Sequence, residues 1–267
     1  MQETSQLREA QLVMLNILDA IHDICQKHKI EYWLDWGTQL GAIRHKGFIP
    51  WDDDIDIAMT RENYNRFMQI APSELSSDFY LQTEKTDEGY YDIITAMKVR
   101  DTNSQMLEWF ETGKESYHLG LFVDIFPYDN IPQNSFMRFL KKDFARNILK
   151  IKHVHLKKRG KLKYRTLAKI FSLNFLNTLQ EKLIKSAQKN ETKLFGYGYD
   201  CAFKKVYNRE EFFPLQKAEF EGKKFFVPKN YDYYLTKTYG DYMQFPPKED
   251  QVPKHMKNLK IFKKDKD

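Results

Sequence analysis

Trp51-Asp52-Asp53-Asp54-Ile55-Asp56-Ile57 is the stretch on which the reading of this 267-residue chain turns. From Asp54 to Ile57 acid and aliphatic residues alternate. Successive side chains of a β-strand point to opposite faces, so Ile55 and Ile57 would face a core while Asp52, Asp54 and Asp56 share the other side. Three carboxylates that close repel one another and need either bulk water or a cation. A hard divalent ion such as Mg²⁺ takes oxygen ligands, typically one or two carboxylates plus substrate phosphates. Two readings follow: a metal site at a strand end, or a solvated acidic edge.

The preceding residues favour the first. Leu34-Asp35-Trp36-Gly37-Thr38-Gln39-Leu40-Gly41-Ala42-Ile43-Arg44-His45 reads as the end of a strand, a tight turn and a short helix. Gly37 permits a bend or the close approach of a ligand. Thr38 is a suitable N-cap for a helix over Gln39–His45, and a helix N-terminus is an anion site that phosphate commonly fills. Arg44 lies one to two turns on, within reach of the same anion. Gly47 ends the helix, and Pro50 keeps Ile49 extended on the way into the acidic strand. A third piece, Gly120-Leu121-Phe122-Val123-Asp124-Ile125-Phe126-Pro127, is an apolar strand holding one carboxylate. An Asp there needs a partner: an Arg or loop cap in the plain reading, a metal or a role as general base in the sharper one.

Together these pieces resemble the nucleotidyltransferase fold, with its Gly-Ser/Thr turn, Asp-x-Asp strand and later single acid. More closely, YWLDWGTQLGAIRHKGFIPWDDDIDIAMTRENY (residues 32–64) and GLFVDIFPYDN (residues 120–130) resemble the two hallmark segments of the LicD family of phosphocholine transferases. The fukutin-related sugar-phosphate transferases share the core pattern. Tyr239-Gly240-Asp241-Tyr242-Met243 with Pro246-Pro247 is similar to the family's C-terminal region. The resemblance implies an α+β, nucleotidyltransferase-like mixed sheet flanked by helices. It implies an enzyme that moves phosphocholine from CDP-choline to a sugar hydroxyl of a teichoic acid or lipopolysaccharide glycan precursor, the acceptor being lipid-linked. By residue matching, Asp54 and Asp56 would be the metal-binding pair, Asp124 the third acid, and Gly37 and Thr38 the phosphate turn. The ion would be Mg²⁺, with Mn²⁺ as its substitute. The alternatives are another donor, such as a ribitol- or glycerol-phosphate carrier, or nucleotidyl transfer. A non-catalytic glycan- or membrane-binding scaffold is the rival of another class, and intact Asp54, Asp56 and Asp124 argue against it. A calcium loop of the EF-hand type is disfavoured because its glycine and terminal Glu are missing.

The length suits one large domain, or a core with an appendage. We divide it into a catalytic core (1–131), a basic helical subdomain (132–190) and a C-terminal region completing the domain (191–267). The hydrophobic content of 42% and charged content of 30% are those of a soluble globular protein. MQETSQLREA lacks the basic and apolar regions of a signal peptide, and no apolar run approaches a membrane span, so a cytoplasmic location is expected. Cys25 and Cys201 fit no metal or redox pattern and read as reduced thiols.

Apolar residues recurring at three and four predict a helix over Ser5–Lys29. A second is predicted over Arg61–Ile70 with Thr60 as its cap, and Tyr91–Arg100 reads as a strand. On that strand Lys98 shares a face with Arg100 and would either meet a phosphate or lie at a solvated end. From Arg138 to Lys169 stand thirteen Lys or Arg against one acid, Asp143, whereas the whole chain carries only +6. The periodicity there predicts helices over Ser135–Lys158 and Tyr164–Lys189. This basic pair reads as a solvated face, a nucleic-acid surface or a contact with anionic lipid on the inner face of the membrane. No nucleic-acid motif accompanies it, so nucleic acid is not expected as a partner. Beyond 190, Lys224–Val227 suggests a strand and Asp232–Tyr239 a short helix. The 15% aromatic content could furnish a cage for a quaternary ammonium by cation–π attraction, its members not identifiable from sequence.

Overall fold

A computed structural model describes residues 2–108, 111–255 and 257–262. Its first half runs α1 (Gln2–His28), β1 (Trp33–Leu34), α2 (Trp36–His45), β2 (Asp56–Thr60), α3 (Arg61–Glu74), β3 (Phe79–Thr83), β4 (Met97–Asp101), β5 (Ser104–Leu107) and β6 (Phe122–Ile131). There follow α4 (Ser135–Lys157), α5 (Leu162–Ile170), α6 (Leu173–Gln188), β7 (Leu194–Tyr197), β8 (Val206–Asn208), β9 (Gln216–Phe220), β10 (Lys223–Val227), α7 (Tyr231–Tyr239) and β11 (Lys257–Ile261). The result is a mixed sheet flanked by helices, as the α+β reading expects.

The sheet runs β1-β2-β6-β4-β3, and the long β6 continues past β4 to pair with β7, which carries β8. β2 lies parallel to β6 with Asp56 opposite Asp124. β4 lies antiparallel to β6 with Lys98 opposite Asp124. Directly opposed residues share a face, so Asp56, Asp124 and Lys98 form one row across three strands. On the other face Ile55, Ile57, Val123 and Ile125 are fully buried against Leu18 and Ile21 of α1 and Phe67 of α3. Each such side chain contributes roughly 1.5–3 kcal/mol by leaving water. The alternation seen in the sequence is therefore what turns the acids away from the core.

Local chemistry sets the ends of the elements. Thr60 caps α3 by accepting the Asn63 N–H, as expected, and the helix runs past Ile70 to Glu74 with Pro72 inside it. Ordered strand in the predicted Tyr91–Arg100 segment is confined to its end, where β4 starts at Met97. The predicted Tyr164–Lys189 helix is two helices, because Ser172 turns its hydroxyl to the Phe175 N–H and starts α6 afresh. Side chains of this kind compete with the helix backbone and favour caps. α4 is fastened to the sheet by the buried Lys142 ammonium, which donates to the carbonyls of Tyr197 and Gly198.

Candidate active site

β2, β6, the loop ahead of β2 and the returning C-terminal segment enclose a cavity of about 810 Å³. Asp52, Asp53, Asp54, Asp56 and Asp124 all line it. Burial is the main force acting on Asp52, Asp54, Asp56 and Asp124, and it disfavours the charged form. Asp54 is pushed up to about 6, against the opposing pull of His255. Asp52 and Asp56 are raised well above the usual carboxylate range by burial and then by neighbouring acids. Asp124 is raised by burial despite the Lys98 ammonium 2.9 Å away. Ion pairs reach three of these carboxylates: Lys98 meets Asp124 at 2.9 Å, and His255 Nδ1 lies 3.1 Å from Asp53 and 3.3 Å from Asp54. The bond to Asp53 is the main reason the His255 imidazole is pushed up to about 9.

This donor set fits a hard divalent cation. It is carboxylate oxygen lining one cavity, and burial with like-charged neighbours disfavours ionising Asp52, Asp54, Asp56 and Asp124 together. Asp53, Asp54 and His255 each bring one atom within 4.8 Å of the others, and with His255 held as a cation its ring is an ion-pair partner of the two carboxylates and not a ligand beside them. Among the described residues, no set built on Asp56 and Asp124 closes as far.

The residues expected to cradle phosphate divide into two groups. Gly37 lies on the cavity wall in the first turn of α2, and a Cβ there would stand 2.7 Å from the Asp52 carboxylate. Its lack of a side chain is what lets Asp52 come so close. Thr38 is not the N-cap: α2 begins two residues earlier with Asp35 in that position. The Thr38 side chain is buried, and its hydroxyl accepts the Asp56 N–H at 2.8 Å. Thr38 thus braces the start of the acidic strand instead of facing the cavity. Arg44 reaches the cavity wall, but its guanidinium donates to the Tyr242 carbonyl at 2.8 Å and packs over Phe245. It ties down the C-terminal segment beside the acids. The αL residue ending α2 is Lys46, one place before the expected Gly47. Lys98 is no solvated strand end: it is buried against Asp124, Glu108 and the Phe122 ring.

Other residues enter the site that the sequence reading gave no place there. The Asp35 carboxylate is fully buried and accepts from Tyr128, from Tyr197 at 2.9 Å and from Tyr234. Burial pushes it up to about 6 while those hydroxyls oppose the shift. Its cluster joins α2 to β6, β7 and α7. Next to it Trp36 takes a left-handed φ of 39°, rare for a bulky residue. Its ring stacks on Tyr197 and lies near Phe203 and Tyr239. Trp36, Phe126, Phe203 and Tyr239 give the acidic cavity an aromatic side. The backbone N–H groups of Lys254 and His255 hold Asp53 at 3.2 and 2.7 Å, so the chain returns some 200 residues later to close the site. An Asp amid the apolar Tyr32–Trp36 run was the one available signal for the Asp35 cluster, whereas His255 carried none.

Residues 29–168 match the family model described as LicD/FKTN/FKRP, nucleotidyltransferase domain. The chain is 37% identical over 274 aligned residues to the lipopolysaccharide cholinephosphotransferase LicD of Haemophilus influenzae, covering 96% of this chain and 98% of that protein. A shorter likeness, 34% over 71 residues, joins it to the human ribitol 5-phosphate transferase FKRP, covering 27% of this chain and 13% of that one. A family match over half the chain, a near full-length relative and an acidic cavity built from the matched segments agree, and the chain belongs to the LicD/FKTN/FKRP family.

Proposed function

We propose that the protein is a phosphotransferase that moves phosphocholine from CDP-choline to a sugar hydroxyl of a lipopolysaccharide or teichoic acid glycan precursor. The observation carrying this reading is that acids suited to a divalent cation and an aromatic wall share one cavity. A diphosphate donor bearing a quaternary ammonium needs both, since a cation over an aromatic face gains about 0.5–2 kcal/mol. The name of the nearly full-length relative supports the same chemistry.

In this reading the acceptor oxygen attacks the phosphorus that carries choline, the bond from that phosphorus to the CMP oxygen breaks, and CMP leaves. Asp54 and Asp56 would hold Mg²⁺, or Mn²⁺ in its place. A bound ion of this kind neutralises charge on the diphosphate and on the leaving group. Asp124 completes the ligand set or takes the proton of the attacking hydroxyl, and Lys98 fixes its carboxylate. The first-turn N–H groups of α2 at Gly37 and Thr38 are donors for a phosphate oxygen. Arg44 adds fixed positive charge while holding the C-terminal segment. The aromatic side formed by Trp36, Phe203 and Tyr239 receives the trimethylammonium group.

The second reading is the same transfer with ribitol or glycerol phosphate, favoured by the segment shared with FKRP. An alditol presents hydroxyls and gains little from an aromatic wall, which weighs toward choline. Incubation with CDP-choline, CDP-ribitol and CDP-glycerol plus a glycan precursor separates these readings. CMP release from CDP-choline should exceed that from the others at least tenfold, and preference for an alditol donor would contradict the choline assignment. Such an acceptor is lipid-linked, and we place the reaction on the cytoplasmic side of the membrane with the protein held peripherally. Among the described residues no helix is long and apolar enough to cross a membrane.

A further inference from the structure

α4 carries an apolar stripe along its length, and that stripe is covered in the C-terminal half of the helix; in the N-terminal half the sheet side, with Lys142 and Ala145, is buried and the stripe is not. In the C-terminal half Ile148, Ile151 and Val154 pack with Tyr164 and Leu176. In the N-terminal half Phe136, Phe139, Leu140 and Phe144 remain 66%, 60%, 42% and 46% exposed. Their spacing puts them on one helix face. Contiguous apolar surface of this kind marks a binding site far more often than a bare surface.

A second feature adjoins it. A cavity of about 370 Å³ is lined by Arg138, Lys142, Lys204 and Lys237 with Phe139 and neighbouring apolar residues, and no acid lines it. Lys142 is committed to the carbonyls that anchor α4. Arg138 donates to the carbonyls of Pro132 and Gln133, and Lys237 to the Tyr233 hydroxyl, so these partners are neutral. Lys204 meets Asp143 at 3.4 Å, with both side chains more than 40% exposed. An exposed pair of this sort holds its cation weakly.

We propose that this face docks on an anionic lipid bilayer. Lipid phosphates settle at Arg138, Lys204 and Lys237, while Phe136, Phe139, Leu140 and Phe144 enter the boundary between headgroups and acyl chains. An amphipathic helix with bare rings on one face and cations at its margin binds membranes in this way, through apolar burial and attraction to anionic lipid together. Charge complementarity selects the occupant, because the surrounding Arg138–Lys169 segment carries thirteen basic residues against one acid. A nucleic acid would satisfy the cations and leave four apolar side chains in water.

The two cavities are lined by residues that are near neighbours in the chain. Phe203 and Tyr239 line the acidic cavity, while Lys204 and Lys237, one and two residues away, line the basic one. Docking there brings the bilayer beside the acidic cavity. The inference concerns where the protein sits and does not depend on which group the donor carries.

Sedimentation with vesicles of pure phosphatidylglycerol or pure phosphatidylcholine tests it, with no donor present. The wild type should bind phosphatidylglycerol at low salt and phosphatidylcholine at least tenfold more weakly. Binding should be lost near 1 M salt, where the screening length falls to about 3 Å. The triple variants Phe136→Ser/Phe139→Ser/Phe144→Ser and Arg138→Gln/Lys204→Gln/Lys237→Gln should each bind at least tenfold more weakly. Their thermal midpoints should stay within a few degrees of the wild type, since Phe136, Phe139, Phe144, Lys204 and Lys237 are exposed and Arg138 is only part-buried at the surface. Equal binding to both lipids, or variants that bind like the wild type, would overturn the proposal. So would a wild-type dimer that the serine variant converts to monomer, because the face would then belong to a second copy. A protein that binds vesicles and releases no CMP from CDP-choline would retain the docking surface and lose only the donor assignment.

Discussion

Each acid of the Asp52–Asp56 run is placed by a different local device. The aliphatic residues between them fix the face, Thr38 holds the backbone of Asp56, and the missing side chain at Gly37 admits Asp52. Asp54→Asn, Asp56→Asn and Asp124→Asn should each lower turnover by about two orders of magnitude or more, the scale seen when a preorganised charge is removed from an active site. The apo fold should survive, and loss of like-charge repulsion should raise the melting temperature of Asp54→Asn and Asp56→Asn. Turnover within a few-fold of wild type would remove that residue from the site. Gly37→Ala should also slow turnover, since its methyl group must displace the Asp52 carboxylate from a 2.7 Å approach. The change in turnover should exceed any change in unfolding midpoint, because Asp52 can swing away without disturbing the core. At this scale the sequence was highly legible: alternation, a turn glycine and a lone acid in an apolar strand are short-range signals. The N-cap role of Thr38 and the solvated end for Lys98 did not hold, because those side chains are turned to Asp56 and Asp124 by strands paired only in three dimensions.

At the scale of elements, periodicity located α1, α3 and α4 to within a few residues, because one-sided burial dominates their sequences. It missed the break at Ser172, where a single hydroxyl cap outweighs a continuous apolar stripe. It also gave no hint that the stripe of α4 is covered over only half its length. Lys142 lies on the sheet side of that helix, and burial pushes its ammonium down to about 8. In the unfolded chain the same group keeps its proton to about pH 10.4. Between those values the unfolded state binds more protons, so stability rises with pH, and the cost of burying the charge is fully present below pH 8. From pH 7 to 9.5, urea unfolding should show the wild type gaining stability relative to Lys142→Met, by at most about 2 kcal/mol. Parallel pH dependences for the two proteins would show that Lys142 is not titrating in this range.

Across the whole molecule, the site is assembled from pieces far apart in the chain. β7 and β8 extend the sheet begun by β2 and β6, and the Asp35 carboxylate draws tyrosines from β6, β7 and α7 onto α2. Arg44 and Asp53 then hold the segment that brings Phe245 and His255 to the cavity. Sequence gave the matched segments their meaning but not this closure, since no local pattern encodes contacts some 200 residues apart. The basic charge was legible as a block, whereas the apolar face beside it emerged only from exposure. The same closure makes the cavity a place where cation and donor should meet. Each should strengthen the binding of the other, because coupling between sites is reciprocal. Calorimetric titration of CDP-choline into the wild type and Asp54→Asn/Asp56→Asn, each in Mg²⁺ and in EDTA, measures that coupling directly. We predict at least tenfold tighter binding in Mg²⁺ for the wild type, about 1.4 kcal/mol of coupling, and none in the variant. Equal affinity of the wild type in Mg²⁺ and in EDTA would contradict the claim that these acids hold the donor through a cation.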